Sequence, residues 1–196
     1  MKNSKHHFFA FLSRMKYINR WGLMRNTFSE NIQEHSLQVA FIAHALAVIR
    51  NKFFGGTLNP DKIAVAAMFH DSNETITGDM PTPIKYFNPD IKQVYKDIED
   101  ISKNKLLTML PDELKDIYRD ILFGAEQDKE VQEIVKAADK ISAYIKCIEE
   151  QKAGNREFKK AGSAIHKAIS QIELPEVKYF MEKFMPSFSL TLDELD

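Results

Sequence analysis

Cysteine is almost missing: one residue, Cys147, in a chain of 196. An internal disulfide is thereby excluded, and a reducing compartment is the natural reading. An excess of charge is missing too, since 27 Lys and Arg oppose 28 Asp and Glu. The formal charge of -1 leaves no electrostatic footprint for a nucleic-acid polymer. Behind Lys2 and Lys5 the apolar run Phe8-Phe9-Ala10-Phe11-Leu12 is far shorter than the roughly 20 residues of a membrane span. It ends at Ser13-Arg14 with no cleavage site of the secretory type. No membrane association and a cytoplasmic location are expected. Glycine and proline are scarce, seven of each, and stand between periodic segments. Strand-like alternation and internal repeats are absent. With 44% hydrophobic and 28% charged residues, the chain reads as one all-α domain over residues 1–196, a helical bundle with ample length for a core.

What is present is a series of helix starts and apolar stripes. Ser4 is a candidate cap for a first helix carrying Phe8, Phe11, Leu12 and Met15. Asn19-Arg20-Trp21-Gly22 reads as a loop. Glu34-His35-Ser36 opens a second helix, with Leu37, Ala40, Phe41, Ala45 and Val48 expected on its buried side. Asn59-Pro60-Asp61 is a cap, a first-turn proline and an acid, and Ile63, Ala67, His70 and Glu74 follow at helical spacing on one expected face. Pro81 and Pro83 stiffen the loop of residues 77–85 directly after that helix. Further stripes are Ile91-Val94-Tyr95-Ile98-Ile101 after Pro89, and Leu114-Ile117-Tyr118-Ile121 after Pro111. Val131, Ile134, Val135, Ala138, Ser142 and Ile145 mark a helix from about Asp128 to Gly154. Two last helices carry Phe158, Ala161, Ile165 and Ile169, then Val177, Phe180, Met181 and Phe184.

The chemistry lies in His35, the adjacent pair His70-Asp71, and Asp139. They stand on three helices whose apolar faces must meet in one core. A His-Asp dipeptide alone is weak, but two imidazoles and two carboxylates can hold one divalent ion and leave positions open. Asp139 sits inside an apolar stretch, Lys136-Ala137-Ala138-Asp139-Lys140. An acid there either faces outward to a lysine or needs a cation. Trp21, the lone tryptophan, is either a core anchor or a flat wall for a ligand, with Arg20 beside it for an anion. His44 comes nine residues after His35, too far along a helix to share its metal at ~1.5 Å per residue. Cys147, between Ile145 and Ile148, reads as a buried apolar residue rather than a nucleophile.

The order His, His-Asp, Asp on an all-helical chain resembles the HD-domain phosphohydrolase superfamily. The resemblance narrows to the bacterial 5'-deoxynucleotidases through several motifs. These are Asn-Arg-Trp at 19–21, Glu-His-Ser-Leu-Gln-Val-Ala at 34–40, the run at 78–88 from Gly78 to Asn88, Lys-Ala-Ala-Asp at 136–139, and Pro186-Ser187-Phe188. It implies an HD-type helical bundle that hydrolyses 2'-deoxyribonucleoside 5'-monophosphates to deoxynucleoside and phosphate. It implies that His35, His70, Asp71 and Asp139 bind one divalent transition metal ion, Co, Mn or similar. By the same resemblance Arg20 orients the phosphate and Trp21 lies against the deoxyribose. Asp79, Met80, Pro81 and Thr82 contact the nucleotide, and Glu74 transfers a proton. The same resemblance counts His35, Asp71 and Asp139 among the substrate-binding residues, and a homodimer is expected. Met80 stands where the family usually has Leu, a conservative change.

Two other readings compete. A deoxynucleoside triphosphate triphosphohydrolase on the same fold would need more cations, for which Arg14, Lys16, Arg25 and Lys85 are candidates. A catalytically idle nucleotide-binding protein would have lost a ligand or Glu74, and none is lost. Sequence chemistry alone ranks neither the metals nor the bases.

Overall fold

The computed structural model describes residues 6–85 and 87–195. Its elements are α1 (Phe8–Leu12), a 3-10 turn (Ser13–Tyr17), α2 (Ile32–Phe53), α3 (Pro60–Phe69), α4 (Glu74–Thr77) and α5 (Thr82–Lys85). After these come α6 (Pro89–Leu107), α7 (Asp112–Gln127), α8 (Lys129–Lys152), α9 (Phe158–Ser170) and α10 (Pro175–Lys183), with two 3-10 turns in the tail. Among the described residues there is no strand, only an isolated antiparallel bridge between Asn19 and Asn31. The all-α expectation holds. The Ser4 cap lies outside the described residues.

Local chemistry sets the helix starts. The Asn31 side chain accepts from the backbone of Gln33 and Glu34, and Glu34 reaches back to Asn31, a reciprocal cap that opens α2 at Ile32 rather than at Glu34. Asn59 and Asn88 cap α3 and α6, each with proline next, and Asp128 caps α8.

α2 is the central rod, packed against α3, α8 and α10. Val39, Ile42 and Leu46 of α2 meet Ile63 and Ala67 of α3 and Ile134, Ala138, Ile141 and Ile145 of α8 in the main core. By length and apolar content α2 alone would pass for a membrane span, but more than half of it is buried inside the bundle, as a core helix is. A smaller core of Phe8, Leu106, Leu107, Leu110 and Leu122 joins α1, α6 and α7.

Several expected faces differ. Leu37, Phe41 and Val48 are exposed, and His35, Val39, Ile42, Leu46 and Ile49 are the buried row. α2 is apolar around most of its circumference, so periodicity cannot fix its phase. On α6, Tyr95 of the expected stripe is buried, together with Leu106 and Leu107, but Ile91, Val94, Ile98 and Ile101 face out. Ile117 and Phe184 are exposed as well. The α8 stripe falls where the spacing puts it, with Val131, Ile134, Val135, Ala138, Ser142 and Ile145 all buried.

Candidate metal centre

α2 and α8 cross so that the buried His35 faces Asp139, with 3.1 Å between His35 Nε2 and Asp139 Oδ1. α3 delivers the remaining pair at its end. It stops at Phe69, and the chain then tightens through three-residue hydrogen bonds: Ser72 N to Phe69 O at 3.1 Å and Glu74 N to Asp71 O at 3.0 Å. His70 and Asp71 therefore sit on a turn, and Glu74 begins a separate short helix. The expectation that Glu74 continues the face of Ile63, Ala67 and His70 on one helix is corrected. His70 Nε2 lies 3.1 Å from Asp71 Oδ2, and His35 Nε2 lies 3.7 Å from the same oxygen. One ligand atom from each of His35, His70 and Asp71 falls within 4.8 Å of the others.

The outward-facing sides of both imidazoles are already committed. His70 Nδ1 donates to the Ala67 carbonyl at 2.7 Å. His35 Nδ1 lies 3.1 Å from Ser142 Oγ, whose own proton goes to Gln38 Oε1 at 2.6 Å. Each ring thus carries its hydrogen on Nδ1 and turns the Nε2 lone pair inward. Both Nε2 atoms are buried without a hydrogen bond, yet anionic oxygens stand 3.1 Å away. A lone pair facing a carboxylate is repulsive unless a cation lies between them. Two nitrogens and two oxygens converging in this way fit a divalent transition metal.

Without a metal, a proton on Nε2 is the cation that answers these carboxylates, and the electrostatics favour it at His70. Burial opposes charging of His70, but Asp71, with help from Asp139 and the Ala67 carbonyl, outweighs it and raises the imidazole to about 8. Burial likewise opposes ionisation of Asp71 and Asp139. For Asp71 the neighbours His70, His35 and Arg20 prevail, and for Asp139 the two histidines do; both stay below the usual carboxylate range. Glu74 behaves oppositely. Burial, then the charges of Asp71 and Asp79, push it up to about 10 against the pull of Arg20 and Lys85. Its Oε2 is buried with no hydrogen-bond partner.

The Asn19–Asn31 bridge carries Arg20 and Trp21 to the rim. Arg20 points one guanidinium nitrogen at Asp139, 3.9 Å from Oδ1, and gives the other to Glu30 Oε2 at 2.7 Å. Trp21 Nε1 donates to the same oxygen at 3.0 Å. Trp21 also holds a left-handed backbone, φ 60°, unusual for any residue but glycine, and conformations of this kind cost on the order of 1–3 kcal/mol. Asp79 lies by this segment. Burial raises its carboxyl, Asp71 adds to that, and Arg20 and the Trp21 backbone oppose it. Gly78, at φ 72°, provides the turn into the Asp79–Thr82 stretch, where Met80 and Pro81 are half-buried and Thr82 is exposed.

The structure thus brings together His35, His70, Asp71, Asp139, Arg20, Trp21, Glu74 and Asp79. His44 is remote from them, 3.7 Å from Asp61 on the surface, and Cys147 is fully buried. Two groups escaped the sequence reading: Glu30, and the Ser142–Gln38 pair behind His35. Gln38 lies three residues after His35, one helical turn away, a spacing that could have suggested a supporting partner.

Comparison with known proteins shows what this chain is similar to. Residues 7–188 match the family model described as 5'-deoxynucleotidase YfbR-like. A 5'-deoxynucleotidase of Vibrio cholerae is 56% identical over 96% of this chain and 97% of its own. Among solved structures, an HD-domain phosphohydrolase of Listeria innocua superposes with TM-score 0.82 at 24% identity, covering 93% of this chain and 88% of the other. A cyanophage S-2L HD phosphohydrolase, solved with dA and one catalytic Zn2+ ion, gives TM-score 0.63 at 18% identity over 93% and 96% of the two chains.

Proposed function

The chain belongs to the YfbR-like 5'-deoxynucleotidase family and is a phosphoric monoester hydrolase, and we propose that the reaction takes place at the cluster of His35, His70, Asp71 and Asp139. The observation that carries this reading is the pair of buried Nε2 lone pairs, each 3.1 Å from a carboxylate oxygen. These four residues would hold one divalent transition ion of the Co or Mn kind, and the Zn2+ of the cyanophage protein supports such a site. When bound, a divalent ion neutralises charge on phosphoryl oxygens and lowers the pKa of water.

The side chains divide the remaining work. Arg20 receives the phosphate through the N–H groups that Glu30 leaves unused, a planar array that a lysine could not match. Glu74, close enough to feel the charges of Asp71, Asp79 and Arg20, keeps an unpartnered buried carboxyl oxygen and is the proton-transfer group. Trp21 stands against the sugar. Its single donor is taken by Glu30, so the indole offers a 2'-hydroxyl no hydrogen bond. Burying that hydroxyl unpaired costs about 1–3 kcal/mol, which favours deoxyribose. Asp79, Met80, Pro81 and Thr82 border the nucleotide from the opposite loop.

A monophosphate fits better than a triphosphate. Lys85 is paired with Glu99 and Arg25 with Glu157, and Arg14 and Lys16 lie over the Tyr17 ring. A single domain, a cytoplasmic location and a homodimer complete the reading. The exposed row Leu37, Phe41 and Val48 on α2 is a surface open to a second copy.

Phosphate release from ribo- and deoxyribonucleoside mono- and triphosphates, with several divalent metals, tests the assignment. Deoxynucleoside monophosphates should be turned over, with activity abolished by chelation and restored by metal. Preferential release of triphosphate from dNTPs would overturn it. Glu74→Ala should lower kcat by about 10²–10⁴ while sparing nucleotide binding, the range typical of acid–base groups.

A further inference from the structure

We infer that Glu30 is a positioning residue that sets sugar selectivity by fixing the indole of Trp21 and the guanidinium of Arg20 to one shared oxygen. This rests on the roles given above to Trp21 and Arg20. Three observations carry it. First, the backbone places Glu30 opposite the pair: Arg20 N donates to Glu30 O at 2.9 Å and Ile32 N to Ile18 O at 3.0 Å, flanking the Asn19–Asn31 bridge. Second, Glu30 Oε2 accepts from both Arg20 Nη1 and Trp21 Nε1, at 2.7 and 3.0 Å, and the side chain is only 12% exposed. Third, the left-handed backbone at Trp21 accompanies an indole held on two sides. Phe158 lies behind its ring at 5.2 Å, and the Arg20 guanidinium lies 5.8 Å from its centroid.

A carboxylate shared in this way does more than neutralise Arg20. With Nη1 committed, the guanidinium cannot turn its full fork toward the phosphate, so the phosphate is approached from a fixed side. With Nε1 committed, the indole cannot rotate about its side-chain bonds to open room at the sugar or to offer its N–H to a hydroxyl. Phosphate position and sugar wall are therefore referenced to the same atom. An ordinary surface ion pair would neutralise charge without setting the angle between the two groups.

Trp21 is the only tryptophan in the chain, so its fluorescence reports this contact apart from turnover. The experiment measures kcat/KM for dAMP and AMP, together with Trp emission and anisotropy of the substrate-free protein, in wild type, Glu30→Ala and Glu30→Gln. Helical circular dichroism and metal content confirm folding. Glu30→Ala should lower the dAMP/AMP ratio at least about tenfold, since the freed indole can now yield or donate to the 2'-hydroxyl, with red-shifted, less anisotropic emission. Glu30→Gln keeps a carbonyl acceptor and should lie between the two. If Glu30→Ala does not fold, Glu30→Asp, one methylene too short to reach both donors, should show the same loss. A wild-type ratio and wild-type emission in the folded variant would overturn the inference. A wild-type enzyme that does not prefer dAMP would instead overturn the sugar role of Trp21 itself.

Discussion

One stripe of α8 carries charge at two places, and the two are built on opposite plans. Asp139, half-exposed, and the buried Ser142 border the candidate metal cluster; Lys146 and Glu150, two and three turns beyond Asp139 on the same face, form a second, fully buried polar node. At that node every bond is internal. Fully buried Glu150 accepts from Lys146, from Asn155 Nδ2 at 2.8 Å, and from the backbone N–H groups of Thr27 and Phe28 at 2.9 and 3.2 Å. Lys146 also donates to the Phe28 carbonyl. At the cluster the two Nε2 atoms and Glu74 Oε2 remain open. Charge whose hydrogen bonds are complete acts as a fastener, here holding the 22–30 loop to α8. Between these two places burial alone makes no distinction, and the several unfilled atoms gathered at the cluster do; a single open oxygen is not enough, since buried Glu176 keeps one while paired to Arg50.

Exchanging the two behaviours by mutation breaks the comparison most directly. Asp139→Ala should lose bound metal and activity together, by more than the roughly 10–100-fold that supporting residues around a metal carry. The fold should survive, because the apolar contacts of α2 and α8 remain. Metal content measured beside circular dichroism checks it, and wild-type metal in this variant would remove Asp139 from the site. Glu150→Ala should show the reverse, a stability loss of about 3–5 kcal/mol from the unpaired buried Lys146, with metal per folded molecule unchanged. Denaturant unfolding at neutral pH measures it.

Acid should weaken the fastener as well, and a Glu150 variant isolates its share. Burial alone would raise Glu150, but Lys146, Asn155 and the two backbone donors hold it at about 2 against an ordinary 4.5. A depressed carboxyl stabilises the fold above its unfolded pKa and loses that contribution as pH falls from 4.5 toward 2. The loss is about 3 kcal/mol at roughly 1.4 kcal/mol per unit. Glu150→Gln should flatten this part of the pH–stability curve, and an unchanged difference between pH 5 and 3 would contradict it. The smallest expected effect sharpens the comparison from the other side. Ser142→Ala removes the acceptor that holds the His35 hydrogen on Nδ1 and should weaken metal affinity about 10–100-fold, read by competitive chelation. Wild-type affinity would mean that His35 is oriented by something else.

That His35, His70, Asp71 and Asp139 come together was legible because ligand chemistry is written in residue type: His and Asp within apolar sequence have few other reasons to be there. The α8 stripe was legible because one face of that helix is polar. α2 is apolar nearly all round, so Leu37, Phe41 and Val48 were placed inside when they lie outside. The break after Phe69 was hidden because a tightened turn and a continued helix share the same residues through His70–Glu74. Glu30 was invisible for a different reason. An acid in a loop has no period, and only the Asn19–Asn31 bridge, a contact between non-periodic segments, brings it under Arg20 and Trp21.

The backbone of Trp21 has a consequence for anyone redesigning this chain. At φ 60° residues with a Cβ carry a conformational penalty, smaller for asparagine and aspartate, and glycine alone escapes it entirely. Trp21→Ala therefore keeps the strain while losing the ring, whereas Trp21→Gly loses both. Optimisation for thermostability alone would write glycine or asparagine at position 21, and the stabler protein would have surrendered the indole proposed to stand against the sugar.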